Sequence, residues 1–305
     1  MIKTIEYATK DFLTKAKSKL KESTFSRYSF ICERHIVPYF QGVQLNQLSN
    51  QDITDFIQYK LKNGGLRGTP LSPKTINDMV CLLAQIIKNY SKFDIDIEKP
   101  QYIQEEISIF TEAEYSKLKS YLSIGTDSKK LGIIIAMLTG LRVGELCALK
   151  WENIDLERGT IFINKTIQRI KNTDRTARAK TKVIIDTPKS KTSIRTIPIQ
   201  GILLSKLAQF QANSGSYVLT NTKKYIEPRV YQRHFKAYLG ACAIREYNFH
   251  VLRHTFATTA ISNGTELKAL SMILGHSDVG FTMQCYVHPN LEHRRIQIEK
   301  VAIGF

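Results

Sequence analysis

In the run from Phe249 to His288, two of the four histidines, the one arginine and the one tyrosine have types and an order that suit one kind of chemistry. His250-x-x-Arg253 opens it, Leu274-Gly275-His276 follows, and Tyr286 stands ten positions beyond His276. Together they are the parts needed to move a phosphodiester bond onto a tyrosine. The phenol would be the nucleophile, the arginine fork would hold phosphate oxygens, and the imidazoles would handle protons and hydrogen bonds. A tyrosine titrates near pH ~10, so its phenol attacks at neutral pH only beside a base or concentrated positive charge. A second arginine, and grip on a polyanion, must come from elsewhere in the chain.

Each of these residues also has an ordinary reading. His250 and His254 have the i,i+4 spacing of a zinc-binding helix, but Val251 stands where a zinc protease needs glutamate, so no metal site is expected. His254 reads as structural. A lone tyrosine on a helix usually packs. Upstream, Thr139-Gly140-Leu141-Arg142-Val143-Gly144-Glu145 places an arginine at a helix start. Arg142 and Glu145 could simply pair, three residues apart; alternatively Glu145 orients a guanidinium whose fork faces a phosphate. Lys189 and Lys191 lie in a basic hairpin. One of them could protonate a leaving oxygen and the other hold a backbone phosphate; both could equally be solvated surface lysines.

The elements that must position these side chains are mostly helical. Amphipathic helices are expected over about 1–20 and from Ser23 to Tyr39. Another is capped by Ser49 or Asn50 and ended by Gly64-Gly65, and a fourth starts at Ser72-Pro73. With no strand signal among them, residues 1–90 read as an all-α domain. Residues 91–107 read as an extended linker, and Thr111 with Glu114 restarts a helix with capping-box spacing. In 108–305 a buried helix spans Leu131–Leu138, Gly140 breaks it, and Trp151–Ile163 reads as a β-hairpin. Further helices are expected at about 202–212, 227–239, 250–263, 266–274 and 280–286, with an amphipathic tail over 291–305. The insert 171–192 reads as a long, mobile, basic hairpin that ends in a strand, Ser193–Pro198. Its Arg175, Arg178, Lys180, Lys182 and Lys191 are candidates to contact DNA. The fold class is therefore mainly α with a small antiparallel β-sheet: an all-α domain followed by an α+β domain.

Composition supports a polyanionic partner. The 305 residues carry a formal net charge of +17, of which +4 lies in residues 1–105 and +13 in the remainder. Hydrophobic residues make up 43%, enough for a packed core. The five cysteines form no CxxC pair, so neither a disulfide framework nor a zinc site is indicated. Cys81 and Cys147 sit in apolar runs and read as core. With no apolar leader and no run long enough to span a bilayer, a cytoplasmic protein without membrane contact is expected.

Taken together, TGLRVGEL, HVLRHTFAT and LGHS…YVH resemble the signature boxes of the tyrosine recombinase (phage integrase) family. PKSKTSIRTIPI is similar to the hairpin in integrases of prophages and conjugative transposons of Gram-positive bacteria. The resemblance covers 106–290 well and 1–90, as a SAM-like core-binding domain, more loosely. It implies a site-specific recombinase that cleaves and rejoins DNA through a 3′-phosphotyrosine intermediate, without metal, ATP or other cofactor. In it Tyr286 attacks, Arg142 and Arg253 clamp the phosphate, His276 adds a hydrogen bond, His250 assists proton transfer and Lys189 protonates the 5′-oxygen, Lys191 being the alternate. It further implies double-stranded DNA as partner, a monomer that assembles into a homotetramer on paired sites, and accessory DNA-bending or excision factors. An arm-site DNA-binding domain often precedes the core-binding domain in this family; here the latter begins almost at residue 1, so the former is expected either to be absent or to lie outside this sequence. A non-catalytic DNA-binding protein of the same fold and a type IB topoisomerase-like or resolving enzyme are the alternatives.

Overall fold

The computed structural model describes residues 3–65, 68–91, 96–102, 107–174, 176–188, 190–286 and 298. It divides into two compact units, one of residues 1–105 with 170–182, the other of 106–169 with 183–305.

The first unit is helical. Helix α1 (Ile5–Lys17) is capped by Thr4, whose hydroxyl accepts from the Tyr7 N–H. Helix α2 (Glu22–Ile31) runs on through a π-helical turn, Cys32–Ile36, into the short α3 (Val37–Tyr39). Pro38 accounts for that turn. In a regular α-helix its ring would meet the carbonyl of Arg34 four residues back. Widening the turn relieves the crowding, and the Val37 N–H bonds the Cys32 carbonyl five residues back. The sequence periodicity predicts this stretch as one uninterrupted helix. Helix α4 (Asn50–Asn63) has a full capping box between Ser49 and Asp52, and α5 (Pro73–Lys88) is capped by Ser72 with proline in its first turn. Ile5, Ile36, Phe40, Ile53, Phe56, Ile76, Leu83 and Ile86 close the core between them.

Three expectations change here. Cys81 is exposed on the outward side of α5, whereas Cys147 is buried in the second unit as expected. Part of the supposed linker is held: the Asn77 amide donates to the Pro100 carbonyl, and the Asp96 N–H to the Asn50 side chain. The basic hairpin is also anchored rather than free. Ser26 Oγ donates to the Lys171 carbonyl, Lys171 pairs with Glu33, and Lys182 pairs with Glu22.

The second unit packs helices around small sheets. Helix α6 (Glu112–Ser123) starts at the Thr111–Glu114 capping box. Helix α7 (Ser128–Thr139) is buried nearly all round, with Leu131, Ile133 and Ile135 fully enclosed. Each such side chain contributes roughly 1.5–3 kcal/mol of burial. Helix α8 (Val143–Ala148) follows at once. Strands β1 (Ile154–Asp155) and β2 (Thr160–Ile163) make the expected hairpin. Strands β3 (Thr166–Lys171) and β4 (Thr181–Asp186) form a separate two-stranded sheet. Strand β5 (Arg195–Pro198) returns to β2, antiparallel, with Ile161 opposite Ile197 and Ile163 opposite Arg195. Helices α9 (Gly201–Phe210), α10 (Pro228–Ala241), α11 (His250–Ser262), α12 (Leu267–Leu274) and α13 (Val279–Tyr286) complete the unit, each within a few residues of its expected span. Among the described residues no helix is long and apolar enough to cross a membrane.

One backbone position decides how α7 hands over to α8. Gly140 caps α7 in the left-handed region at φ +66°. A Cβ there would lie 2.7 Å from Phe256 and 2.8 Å from Leu274. Gly140→Ala should therefore lose more than the roughly 1–2 kcal/mol of left-handed strain alone, measured as the shift in chemical-denaturation free energy.

Candidate active site

The site is built around a buried carboxylate. Glu145 lies in the first turn of α8 and is 3% exposed. Its Oε2 accepts from the Arg142 backbone N–H at 3.1 Å and from Arg195 Nη2 at 3.0 Å. Its Oε1 accepts from Arg142 Nη1 at 2.9 Å and Arg195 Nη1 at 3.2 Å. Four donors fill the four lone-pair sites of a carboxylate, so Glu145 has no capacity left for proton transfer. It holds arginines. Burial alone would raise its carboxyl; the charge and hydrogen bonds of Arg195, then of Arg142, outweigh that and keep it below the ordinary glutamate value.

The two arginines differ in what they have left. Arg195 is enclosed, with its side chain 5% exposed. Its Nε donates to the Ile273 carbonyl at 2.5 Å and its Nη1 also to the Ser193 carbonyl at 3.0 Å. Arg142 keeps its side chain 35% exposed, so one face of its guanidinium remains open to a ligand. Arg142 thus pairs with Glu145, and the pairing fixes its orientation.

Arg195 was not picked out from the sequence, where Ile194 and Ile197 fall on opposite faces of the strand and leave its inward face undecided. In Ser193-Ile194-Arg195-Thr196-Ile197 the buried positions alternate with exposed ones. Arg195 therefore shares the inward face with Ile197. An arginine on the inward face of a strand must have a buried partner.

The third arginine comes from α11. Arg253 is 1% exposed. Its Nη1 donates to the Gly140 carbonyl at 2.9 Å, and its Nη2 to the Leu274 carbonyl at 2.8 Å and to His276 Nε2 at 2.7 Å. An arginine can only donate, so His276 Nε2 must be the acceptor and its Nδ1 carries the proton. That proton goes to Thr282 Oγ1, 2.7 Å away and fully buried in α13. In this arrangement His276 orients Arg253 and ties α13 to the site. Thr282, too, went unremarked in the sequence. Gly275, at φ +69°, makes the turn that presents His276. A Cβ there would lie 3.0–3.2 Å from the Arg195 guanidinium and its neighbouring carbon, so this glycine lets the α12 end close onto Arg195.

The histidines are neutral at neutral pH. Burial, then the charges of Arg253, Arg142 and Arg195, lowers His276 to about 3. Burial, His254, Arg253 and Arg142 lower His250 to about 4, with Glu145 opposing. The His250 ring meets solvent at the surface of the site, yet surrounding protein strips part of its hydration. It stacks edge-on with His254, centroids 5.1 Å apart.

The remaining candidates are placed unequally. Tyr286 is the last residue of α13, one turn beyond Thr282; its side chain lies outside the described residues, as do Lys189, Arg175 and the Lys191 side chain. The segment carrying both lysines leads into Ser193, whose hydroxyl donates to the Gly275 carbonyl at 3.3 Å, beside His276. Arg178 and Lys180 are exposed, while Lys182 is engaged with Glu22. Among the described residues no cluster of metal-ligating side chains occurs.

Residues 108–293 match the Phage integrase family, and residues 4–61 match the N-terminal SAM-like domain of phage integrases. A XerC-like tyrosine recombinase of Caldanaerobacter subterraneus subsp. tengcongensis is 32% identical over 203 residues, 61% of this chain. The chain spans about half of that relative's length, 51%. The ICEBs1 integrase of Bacillus subtilis is 22% identical over 297 residues, 91% of this chain and 77% of the relative. In fold, the Tn1549 transposon integrase, solved in complex with transposon right end DNA, superposes with a TM-score of 0.79 at 20% identity, over 98% of this chain and 100% of that one.

Two outcomes follow from the geometry. Glu145→Gln leaves Arg195 buried without its counter-charge and should cost about 3–5 kcal/mol, read as a loss of denaturation free energy with the Arg142 site disordered. The second concerns pH. His276 binds its proton less readily folded than unfolded, so the unfolded chain takes up more protons between about 6.5, the ordinary histidine value, and the folded value of about 3. Stability should fall as pH drops through that window. His276→Gln should flatten the profile of melting temperature against pH there.

Proposed function

Because the chain belongs to the phage integrase family, we propose that it is a site-specific DNA recombinase that cuts and rejoins strands through a covalent tyrosine intermediate. The observation that carries the reading is the convergence of Arg142 and Arg253 on one site, each held by a built support: Glu145 for Arg142, Gly140, Leu274 and His276 for Arg253. Two oriented guanidiniums are what a phosphodiester undergoing substitution requires. Charge accumulates on the non-bridging oxygens in the transition state, and preorganised donors stabilise it without reorganising. Removing one such donor typically costs roughly 10²–10³ in rate.

In the proposed step the Tyr286 phenolic oxygen forms a bond to phosphorus and the bond from phosphorus to the 5′-oxygen breaks. The phenolic proton leaves through His250, whose neutral imidazole offers an acceptor at neutral pH. The anionic phosphate would raise the affinity of that imidazole for the proton as the DNA seats. The 5′-oxygen takes a proton from Lys189, or from Lys191. Rejoining is the reverse with a different 5′-hydroxyl. The phosphotyrosine ester conserves the energy of the broken bond, so the cycle proposed is closed without ATP, and the arginines supply the charge that a metal would otherwise bring.

The partner in this reading is duplex DNA, in keeping with a net charge of +17 and with the DNA-bound state of the Tn1549 integrase of similar fold. Reciprocal exchange between two duplexes cuts four strands. With one nucleophile per chain that means four protomers, assembled on paired sites from a monomer. Residues 1–90 act as the core-binding domain and 108–305 as the catalytic domain, joined through 91–107. Arg178 and Lys180, both exposed, are the basic-hairpin residues best placed for phosphate contact. Accessory DNA-bending or excision factors would select the direction of exchange. The reaction takes place in the cytoplasm.

A nicked suicide substrate bearing the chain's own core site tests the chemistry. Wild type should give a covalent protein–DNA adduct that survives denaturing electrophoresis and is absent with Tyr286→Phe. A wild-type protein that binds the substrate without forming the adduct would remove the catalytic reading and leave a DNA-binding protein of the same fold.

A further inference from the structure

The first unit contains a buried cation that none of its described side chains neutralises. Lys60, in the last turn of α4, is 6% exposed. Its ammonium lies over three aromatic rings, 5.0 Å from the Tyr59 centroid, 5.3 Å from Phe56 and 5.7 Å from Tyr39. Among the described residues no carboxylate pairs with it. The neighbouring charge has the same sign: Arg34 lies close enough to make protonation of Lys60 harder, after burial itself. Arg34 has no acidic partner among the described residues either. His35, one position on, is buried and pushed down to about 4 by burial, Lys60 and Arg34, so it stays neutral.

Four other cations of the unit do have carboxylate partners. Arg27 pairs with Asp78, Lys15 with Asp11, Lys171 with Glu33 and Lys182 with Glu22. Ring faces stabilise a desolvated ammonium only modestly. That does not offset the penalty for an ion taken out of water. A like charge beside it adds to the deficit. Among the described residues nothing anionic completes the balance.

The space for it is present. A pocket of about 310 Å³ is lined by Arg34, Lys60, Asn63, Tyr39 and Tyr59. Its frame is rigid for local reasons. The Lys60 carbonyl accepts from the Gly64 N–H at 3.2 Å and from the Leu71 N–H at 3.1 Å, which pins the turn after α4 to the lysine's own backbone. A Cβ on Gly64 would lie 2.7 Å from both the Leu71 side chain and the Lys60 carbonyl, so a side chain there would force this turn open. On the other wall, Arg34 rides on the π-helical turn that Pro38 imposes, a widening common at functional positions.

We propose that Arg34 and Lys60 form a phosphate-binding site, with Asn63 as a neutral donor beside them. Arg34 offers a fork at the rim and Lys60 a point charge at the base. The anion is a phosphate group, either a backbone phosphodiester of duplex DNA or a free phosphate. The DNA arm rests on the recombinase reading above; the free-phosphate arm does not.

The test uses the full chain with Lys60→Met and Arg34→Gln, each checked for helicity. Lys60→Met removes a buried charge and should fold with a raised melting temperature; Arg34→Gln alters an exposed side chain and keeps the core intact. Binding of a random-sequence duplex is measured against salt concentration, since phosphate contacts are sequence-independent. If the site takes a DNA phosphate, the plot of log K against log [salt] becomes shallower by about 0.9 in each variant, the value of one phosphate contact. If it takes free phosphate, the DNA slope stays as in wild type. Inorganic phosphate then raises the wild-type melting temperature above that in chloride at equal ionic strength, and Lys60→Met abolishes the rise. Unchanged DNA slopes together with no phosphate-specific rise overturn the site and leave Lys60 a structural lysine. A wild-type chain that fails to bind duplex DNA at all counts against the recombinase reading instead, and the inorganic phosphate arm still decides the site.

Discussion

A carboxylate with all its lone pairs occupied ties the second unit together. Glu145 is buried, and a buried carboxylate is tolerated only when charge and hydrogen bonds replace the water it has lost. Arg195 does most of that work from within the core, and Arg142 completes it from the rim. The arrangement is asymmetric. Arg195 spends four of its five donors on Glu145, Ile273 and Ser193, whereas Arg142 is held by one edge and leaves the other open. One ion triad thus makes a structural arginine and a presented arginine from the same carboxylate. It also links α8, β5 and the end of α12, elements far apart in the chain.

Arg253, itself 1% exposed, is held in place by a second device, made largely of backbone. Carbonyls at the ends of two helices, Gly140 after α7 and Leu274 at the end of α12, accept from its guanidinium. Helix C-termini carry free carbonyls and partial negative charge, so they suit a buried cation. Both ends turn on a glycine in the left-handed region. His276 then passes the constraint on: it accepts from Arg253 and donates to Thr282, one turn before Tyr286 on α13. The neutral imidazole is what allows both bonds at once. A protonated ring would have two donors and would turn one of them against the guanidinium.

The positive charge of the chain has a different status in its two units. In the second, buried cations are matched by Glu145 or by carbonyls. In the first, Lys60 and Arg34 share a pocket with no matching anion among the described residues. Local structure explains why the pocket persists: Pro38 widens one wall and the Gly64 turn closes the other.

Much of this was legible in the residues themselves. Caps at Ser49, Ser72 and Thr111, the proline after Ser72 and the apolar periods located the helices, because these signals act within a turn or two of chain. The boxes around Arg142, Arg253 and His276 were equally visible, since residue type and spacing carry them. Other features depended on what lies opposite. Cys81 sits in an apolar run yet faces outward, because a helix within a small domain buries only one side. The hairpin read as free is held by Ser26, Glu33 and Glu22, partners some 145 positions away in the case of Ser26. Arg195 stood on a strand whose inward face was undecided until β5 paired with β2 and set it against Glu145. Sequence alone determined which side chains could do phosphoryl chemistry, and their order. Only the tertiary structure decided which arginine is consumed by the core and which is left for a ligand, because that depends on burial and on donors counted across five separate elements.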